Sequence, residues 1–429
     1  MKNVLFIVYY FPPMGGSGVQ RPLKFVKYLR EFGWNPIVLC PEPGMYPYFD
    51  ESLEAELKKI SPEIIRIRPK TLFHLGTWSV SAKKTQIPNI LSKTARRFLR
   101  LFMYPDNKKG WIKPAVEKGL EVIQGRKIDL IFSTAPPFSN HMAAAQLSQK
   151  SEIPLVLDYR DLWLNNHFMD DMFGWQKGIM KRMEKFSLEI AQAITGLDSF
   201  MLHDIQSNYP EINVTNYEVP HGYDPEDFSN LDNKETLDYK KGKLNFLYSG
   251  IFYEQNQPDK FLSALKKAGS RGAINMRDVH LHFQGGLDER IRKFLVELGL
   301  KENVTDYGYV THDVAVANLI KADVLWMVSN FKASHKQIKS GKLFEYFGTG
   351  KPILGLVHEG ASSRLINEYG AGFFGDLTSE EVIIQQLESI YKKWKSGSLP
   401  QADQEFIEQF NRRSITRDLA QIFDKISSQ

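Results

Sequence analysis

Short apolar runs alternate with amphipathic segments along nearly the whole chain, and that alternation restricts the fold more than any motif. In the first half the runs are VLFIV (4–8), PIVLC (36–40), EIIRI (63–67), DLIFS (129–133), PLVLD (154–158), AITGL (193–197) and YEVP (217–220). Continuous apolar runs separated by helical segments are the pattern of parallel strands covered on both faces. Around residues 230–242 the pattern lapses into a polar, charged stretch with no apolar stripe, which reads as a linker. It restarts with LNFLYS, VHLHFQ, NVTDYG, ADVLWMV, KPILGLV and AGFFG, and a strong helical pattern follows near FIEQFNRRSITRDLAQIFDKI. The expectation is an α/β chain of two doubly wound parallel-sheet domains, 1–230 and 243–400, joined by a linker at 231–242. A C-terminal helical segment, 401–429, is expected to pack back toward the first domain.

Composition narrows the function classes. A chain of 429 residues exceeds one typical core, and 42% hydrophobic with 24% charged residues is globular usage. The single cysteine, Cys40, excludes a disulfide framework and a cysteine-based zinc site and fits a reducing cytoplasm. A net charge of +5 is mild for this size and gives no reason to expect nucleic acid. No stretch approaches the roughly 20 apolar residues that span a bilayer. The opening MKNVLFIVYYF reads as a buried strand rather than a leader, because Pro12-Pro13 and a glycine loop follow it.

That loop, MGGSG, lies between the first strand and a helical pattern carried by Val19, Leu23, Val26, Leu29 and Phe32. Such a junction favours phosphate or sugar through free amides and the helix dipole, or it is a plain strand-to-helix turn. A dinucleotide fingerprint beginning at Gly16-Ser17-Gly18 fails at its last position, where Arg21 stands in place of glycine. A Walker loop fails as well: Ser340-Gly341-Lys342-Leu343 lacks both the upstream glycine and the following hydroxyl residue. In SGKLFEYFGTGKPILG (340–355) a helix from about Gly341 to Gly348 brings Lys342, Glu345 and Tyr346 within one or two turns. Lys342 near a helix start suits a diphosphate, and Glu345 suits a ribose diol. Both also fit an ordinary solvated surface helix.

This segment resembles the donor-site motif of glycosyltransferase family 4 (GT4), retaining enzymes, in the branch that reads roughly P-x-K-x-x-E-Y-x-x-x-G-K-P-I, with Ser340 at the proline position. The glycine-loop opening, STAPPFSNHMAA, LDYRDLW, VPHGYDPEDF and YSGIFY are similar to that branch's signatures, in the expected order. The resemblance implies a GT-B fold, two Rossmann-like domains facing across a cleft. It implies metal-independent transfer, with no cofactor, from a nucleotide-sugar such as a UDP- or GDP-sugar to a glycan or lipid-linked acceptor. It places Gly16, Gly18, Gly250, Tyr309, Val310, Gln337, Lys342, Leu343 and Glu345 at the donor. Glu345 matches the glutamate on the nucleotide ribose, and Tyr309-Val310 the loop against the base. Lys342 matches the family's basic position near the phosphates. Arg160 and Asp161 end the apolar strand PLVL, where a doubly wound fold puts its chemistry, and read as catalytic or as a structural Arg–Asp pair. Replacing Gly16 by a bulky residue is expected to abolish transfer.

Two positions depart from the family. Gln337 stands where the broader family has a second glutamate. Asn256 stands at its phosphate-binding arginine, with Lys260 or the lysines of 332–339 as substitutes. His221-Gly222 reads as a turn on the hinge side, and His141 as structural. Finally, residues 83–113 carry nine Lys/Arg and one acid, with an apolar stripe through Ile90, Leu91, Ala95, Phe98, Leu101 and Phe102. Arg96, Arg97, Phe98 and Arg100 then mark a contact with an anionic membrane surface or the acceptor, on the inner face of the plasma membrane, or the stripe packs on the domain core with the basic residues in water. The alternatives to transfer are a nucleotide-sugar epimerase of the same fold and a silent sugar-nucleotide-binding partner.

Overall fold

The computed structural model describes residues 1–44, 49–70, 103–166, 172–229, 239–252, 256–330 and 341–428. The described chain divides into two compact units, Met1–His221 with Arg412–Gln429, and Gly222–Asn411. The division falls between His221 and Gly222.

Each apolar run contributes to a strand, the seventh displaced so that Val219 and Pro220 fall after it. The first unit carries β1 (Lys2–Ile7), β2 (Trp34–Pro41), β3 (Glu63–Ile67), β4 (Leu130–Ala135), β5 (Leu155–Tyr159), β6 (Ala193–Gly196) and β7 (Thr215–Glu218). They pair in parallel in the order β3-β2-β1-β4-β5-β6-β7, with Val4 opposite Pro36 on one side and Leu130 on the other. Successive side chains of a strand point to opposite faces, so β1 feeds two cores. Leu5 and Ile7 join the residues of helices Ile112–Gly125 and Ser139–Ser151. Val4 and Phe6 join helix Ser17–Tyr28 and the last helix, Arg412–Ser427. That last helix belongs to the first unit because Ile415, Leu419 and Phe423 are buried there, Phe423 edge-on to Trp34 at 5.4 Å. Each such side chain contributes about 2 kcal/mol through area removed from water.

The second unit carries β8 (Leu244–Ser249), β9 (Val279–Gln284), β10 (Val304–Asp306), β11 (Val324–Ser329), β12 (Ile353–Val357) and β13 (Gly372–Asp376). Its parallel order is β10-β9-β8-β11-β12-β13. Both sheets reverse their winding once, the first between β1 and β4, the second between β8 and β11. In open sheets of this kind ligands bind outside the carboxyl ends of the strands at that reversal. Among the described residues no helix is long and apolar enough to cross a membrane.

Candidate functional site

In the second unit the reversal opens a gap that one side chain fills. Strand β8 pairs with β11 only as far as Leu247, opposite Leu325, and then diverges. The amide of Ser249 therefore finds no partner on β11. The Tyr346 hydroxyl accepts from it at 2.9 Å and donates to the Trp326 carbonyl at 3.3 Å. Tyr346 lies on helix Gly341–Gly348, whose Leu343, Phe344, Tyr346 and Phe347 are buried. Burying that face leaves Lys342 and Glu345 half-buried on the other, three residues apart.

Lys342 Nζ lies 4.3 Å from the centre of the Tyr248 ring and donates to its hydroxyl at 2.8 Å. Burial pushes its ammonium down to about 7, against the opposing pull of Glu345. Gly250 closes the other side. Its φ is +118°, in the region that favours glycine, and a Cβ there would stand 2.4 Å from Lys342 Nζ. A cation disfavoured by burial, beside bare backbone at the carboxyl end of a parallel strand, is a site that gains from an anion. Glu345 Oε1 meets His312 Nε2 at 2.9 Å. Tyr309, 40% exposed, and Val310 lie on the loop just before helix His312–Lys321. Leu343 is fully buried in the core, so its side chain faces away from any ligand.

Asn256 points inward rather than toward an anion. It is buried, and its side-chain oxygen accepts from the Asn330 amide at 2.6 Å, bracing the end of β11. The Lys260 ammonium donates to the Leu377 carbonyl. Gln337 and Lys332, Lys336 and Lys339 lie outside the described residues, as do Arg96, Arg97, Phe98 and Arg100.

At the reversal of the first unit the charges are already bonded. Arg21, the residue that breaks the dinucleotide fingerprint, reaches across to Asp158 on β5 with two bonds, Nε to Oδ2 at 3.0 Å and Nη2 to Oδ1 at 2.7 Å. It also donates to the carbonyls of Val219 at 2.8 Å and Pro220 at 2.7 Å. Thr134 and Thr195 each donate to Asp158 at 2.7 Å. Burial alone would raise the Asp158 carboxyl; the Arg21 charge and these bonds outweigh it and hold the carboxyl at about 2.

Arg160 is 8% exposed, and its guanidinium donates to the carbonyls of Gly18 at 2.6 Å, Ala135 at 3.3 Å and Pro136. It thus ties the glycine-loop helix to the ends of β4 and β5. Gly18 lies inside that helix, where a Cβ would stand 3.4 Å from Arg160 Nη1. Gly16 precedes the helix at φ +107° with open space around it. Asp161 is exposed. His141 is buried, its Nδ1 2.9 Å from Ser133 Oγ and its ring 4.7 Å from that of Tyr159. Burial pulls its pKa down to about 3, so it is a neutral packing group.

The sequence reading missed three contributors. Asp158 was legible as an acid ending an apolar strand, and Arg21 as a charge where glycine was expected, but nothing local joins them. His312 opens a helix directly after the loop assigned to the base, in THD, and carries no other sequence signal.

No family model matches this sequence, and no curated protein matches it. In structure the chain is similar to HepE of Anabaena, solved in complex with UDP and glucose, with a TM-score of 0.67, 12% identity, and 99% of this chain and 100% of that chain covered. The fold is GT-B. Sucrose-phosphate synthase of Thermosynechococcus elongatus shares it, with a TM-score of 0.64, 13% identity and full coverage of both chains. A Listeria monocytogenes protein assigned as a UDP-N-acetylglucosamine 2-epimerase is more distant. Its TM-score is 0.51 at 12% identity, over 97% of this chain and 94% of that chain. Within the GT-B frame the unit Gly222–Asn411 carries the Gly250–Lys342–Glu345 cluster.

Proposed function

We propose that this protein is a retaining, metal-independent glycosyltransferase of the GT4 type. It moves a sugar from a nucleotide-sugar to a glycan or lipid-linked acceptor in cell-surface polysaccharide or glycolipid synthesis. The observation that carries this reading is the packing of Lys342 against Gly250, with Glu345 one turn further along the same helix. That cluster offers a diphosphate a cation with side-chain-free space beside it at Gly250, and offers a ribose a carboxylate. The HepE likeness adds weight, since that protein was solved with UDP-glucose.

In the proposed reaction the bond between the sugar's anomeric carbon and the diphosphate oxygen breaks. A bond from the acceptor oxygen forms on the same face, and the acceptor's proton passes to the departing diphosphate. Lys342 and the helix amides stabilise the charge that develops on that leaving group. Glu345 orients the nucleotide through its ribose. Acceptor recognition falls to the first unit, where Arg160 holds the glycine-loop helix in place. The basic segment 83–113 gives that unit a peripheral hold on an anionic bilayer.

The test is a thermal-shift and calorimetry panel of UDP, GDP, ADP and their sugar conjugates, with and without Glu345→Ala. Stabilisation by one nucleotide that is lost in the variant supports the reading. A sugar-nucleotide epimerised without transfer would favour the second reading, for which the Listeria likeness speaks. No binding at all would favour a silent partner.

A further inference from the structure

Helix Gly174–Ile190 of the first unit buries one face, through Gln176, Met180, Glu184, Ser187 and Leu188, and leaves the other bare. Over its first three turns the bare face carries Trp175, Lys177, Lys181 and Arg182, with no exposed acid, beside Gly174 and Gly178. Phe173, just before the helix, is 58% exposed and Trp175 53%. Both rings are held at that position. The Phe173 amide donates to Gln176 Oε1 at 2.9 Å, and Gln176 Nε2 donates to the Tyr104 hydroxyl at 2.7 Å. The Tyr104 ring in turn meets Trp175 edge-on at 6.2 Å.

Much of this face works against the helix that carries it. Lys177 and Lys181 are like charges one turn apart. A Cβ on Gly178 would meet nothing within 4 Å, so alanine would fit and would strengthen the helix. Lys185, the next cation, is paired with Glu211 at 2.8 Å, and Lys181 lies over the Tyr209 ring at 5.7 Å. Among the described residues Lys177, Lys181 and Arg182 pair with no carboxylate.

We infer that this face docks on an anionic lipid bilayer, with Phe173 and Trp175 at the headgroup boundary and Lys177, Lys181 and Arg182 on the lipid phosphates. A bilayer engages both parts: aromatic rings favour the headgroup level, and each cation near an anionic leaflet strengthens binding about fivefold. A soluble acidic chain would engage the cations and leave Phe173 in water. The two glycines let a flat surface approach the backbone. The inference adds to the bilayer hold proposed for segment 83–113, stands without it, and does not depend on transfer.

The experiment is cosedimentation of the full chain with vesicles of phosphatidylcholine, alone or with about one-third phosphatidylglycerol, at low and high salt. Wild type is compared with F173S/W175S, K177E/K181E/R182E and R96E/R97E/R100E. Wild type should bind only the anionic vesicles, and less as salt rises. K177E/K181E/R182E should lose at least tenfold at low salt, and F173S/W175S about tenfold at either salt. Brominated lipid should quench wild-type tryptophan emission more than that of W175F, which keeps the test open should F173S/W175S fail to fold.

Binding that both helix variants retain while R96E/R97E/R100E abolishes it would overturn the inference and leave the bilayer to segment 83–113. So would a wild type that ignores vesicles but binds soluble polygalacturonate, or that self-associates until W175S is introduced. A wild type that binds no vesicle would overturn both bilayer assignments, and the nucleotide panel above would still decide the transfer reading.

Discussion

The two units reverse their sheets in the same way and fill the reversal in opposite ways. Between β1 and β4 the ionised groups are saturated: Arg21 and Asp158 bond each other twice, and the remaining bonds of Arg21 and Arg160 go to backbone carbonyls. Between β8 and β11 a lysine has a tyrosine hydroxyl for company, glycine backbone beside it and an ammonium pushed down to about 7. Saturated charge fixes a framework, because a buried ion pair is costly to break. Charge held short of saturation is a place where a ligand supplies what the protein withholds. The topology is shared; the difference lies in which unit keeps its electrostatics for itself.

Removing the arginine breaks this comparison most severely. Arg21→Met leaves Asp158 buried with the two threonine hydroxyls, and unfolding in urea should show a loss of about 3–5 kcal/mol. A loss below about 1 kcal/mol would mean that the pair is not a framework element. Next comes Gly250→Ala, where the backbone strain at positive φ costs of order 1–3 kcal/mol and the new Cβ displaces the ammonium. UDP binding should fall at least tenfold by calorimetry while the melting point moves only a few degrees.

Lys342→Met should do the reverse of Arg21→Met. The folded pKa of Lys342 lies below its ordinary 10.5, so between about 7 and 10.5 the unfolded chain holds more protons than the folded one. Stability from this group therefore rises with pH across that window and is least below about pH 7. The methionine variant lacks that slope, should be no less stable than wild type at pH 7, and should bind UDP about tenfold or more weakly. Thermal melts at pH 6, 7 and 9 check the sign. The smallest effect is expected at Gly16. A Cβ there meets nothing within 4 Å, so Gly16→Ala costs only the strain of its positive φ, about 1 kcal/mol, and should leave UDP affinity unchanged.

The central strands were legible because most are short continuous apolar runs buried on both faces, whereas the edge strand Thr215–Glu218 is polar and largely exposed and was legible only through the Tyr217-Glu218 that it shares with an apolar run. The helix Gly341–Gly348 was legible to the residue, since glycines bound a stripe of apolar side chains. The nearness of Gly250 to Lys342 is of another kind: it follows from the topology that brings β8 beside β11. What no local pattern carries is the partner of a side chain. Arg21 and Asp158 are 137 residues apart, Tyr346 and Ser249 are 97 apart, and His312 and Glu345 are 33 apart. Gly18 shows the limit in one residue: its sequence signal was a phosphate loop, while its carbonyl accepts from Arg160 within the first turn of a helix.

The most direct measurement is UDP binding to the wild-type protein at pH 8, by calorimetry in two buffers of different ionisation enthalpy, with Lys342→Met alongside. A lysine that is largely neutral when free and charged beside a diphosphate takes up a proton on binding. The account therefore predicts binding with net proton uptake in wild type, weakening by up to tenfold per pH unit above about 7, and no uptake in the variant. Binding that is indifferent to both pH and Lys342, or no binding of any nucleoside diphosphate, would contradict it.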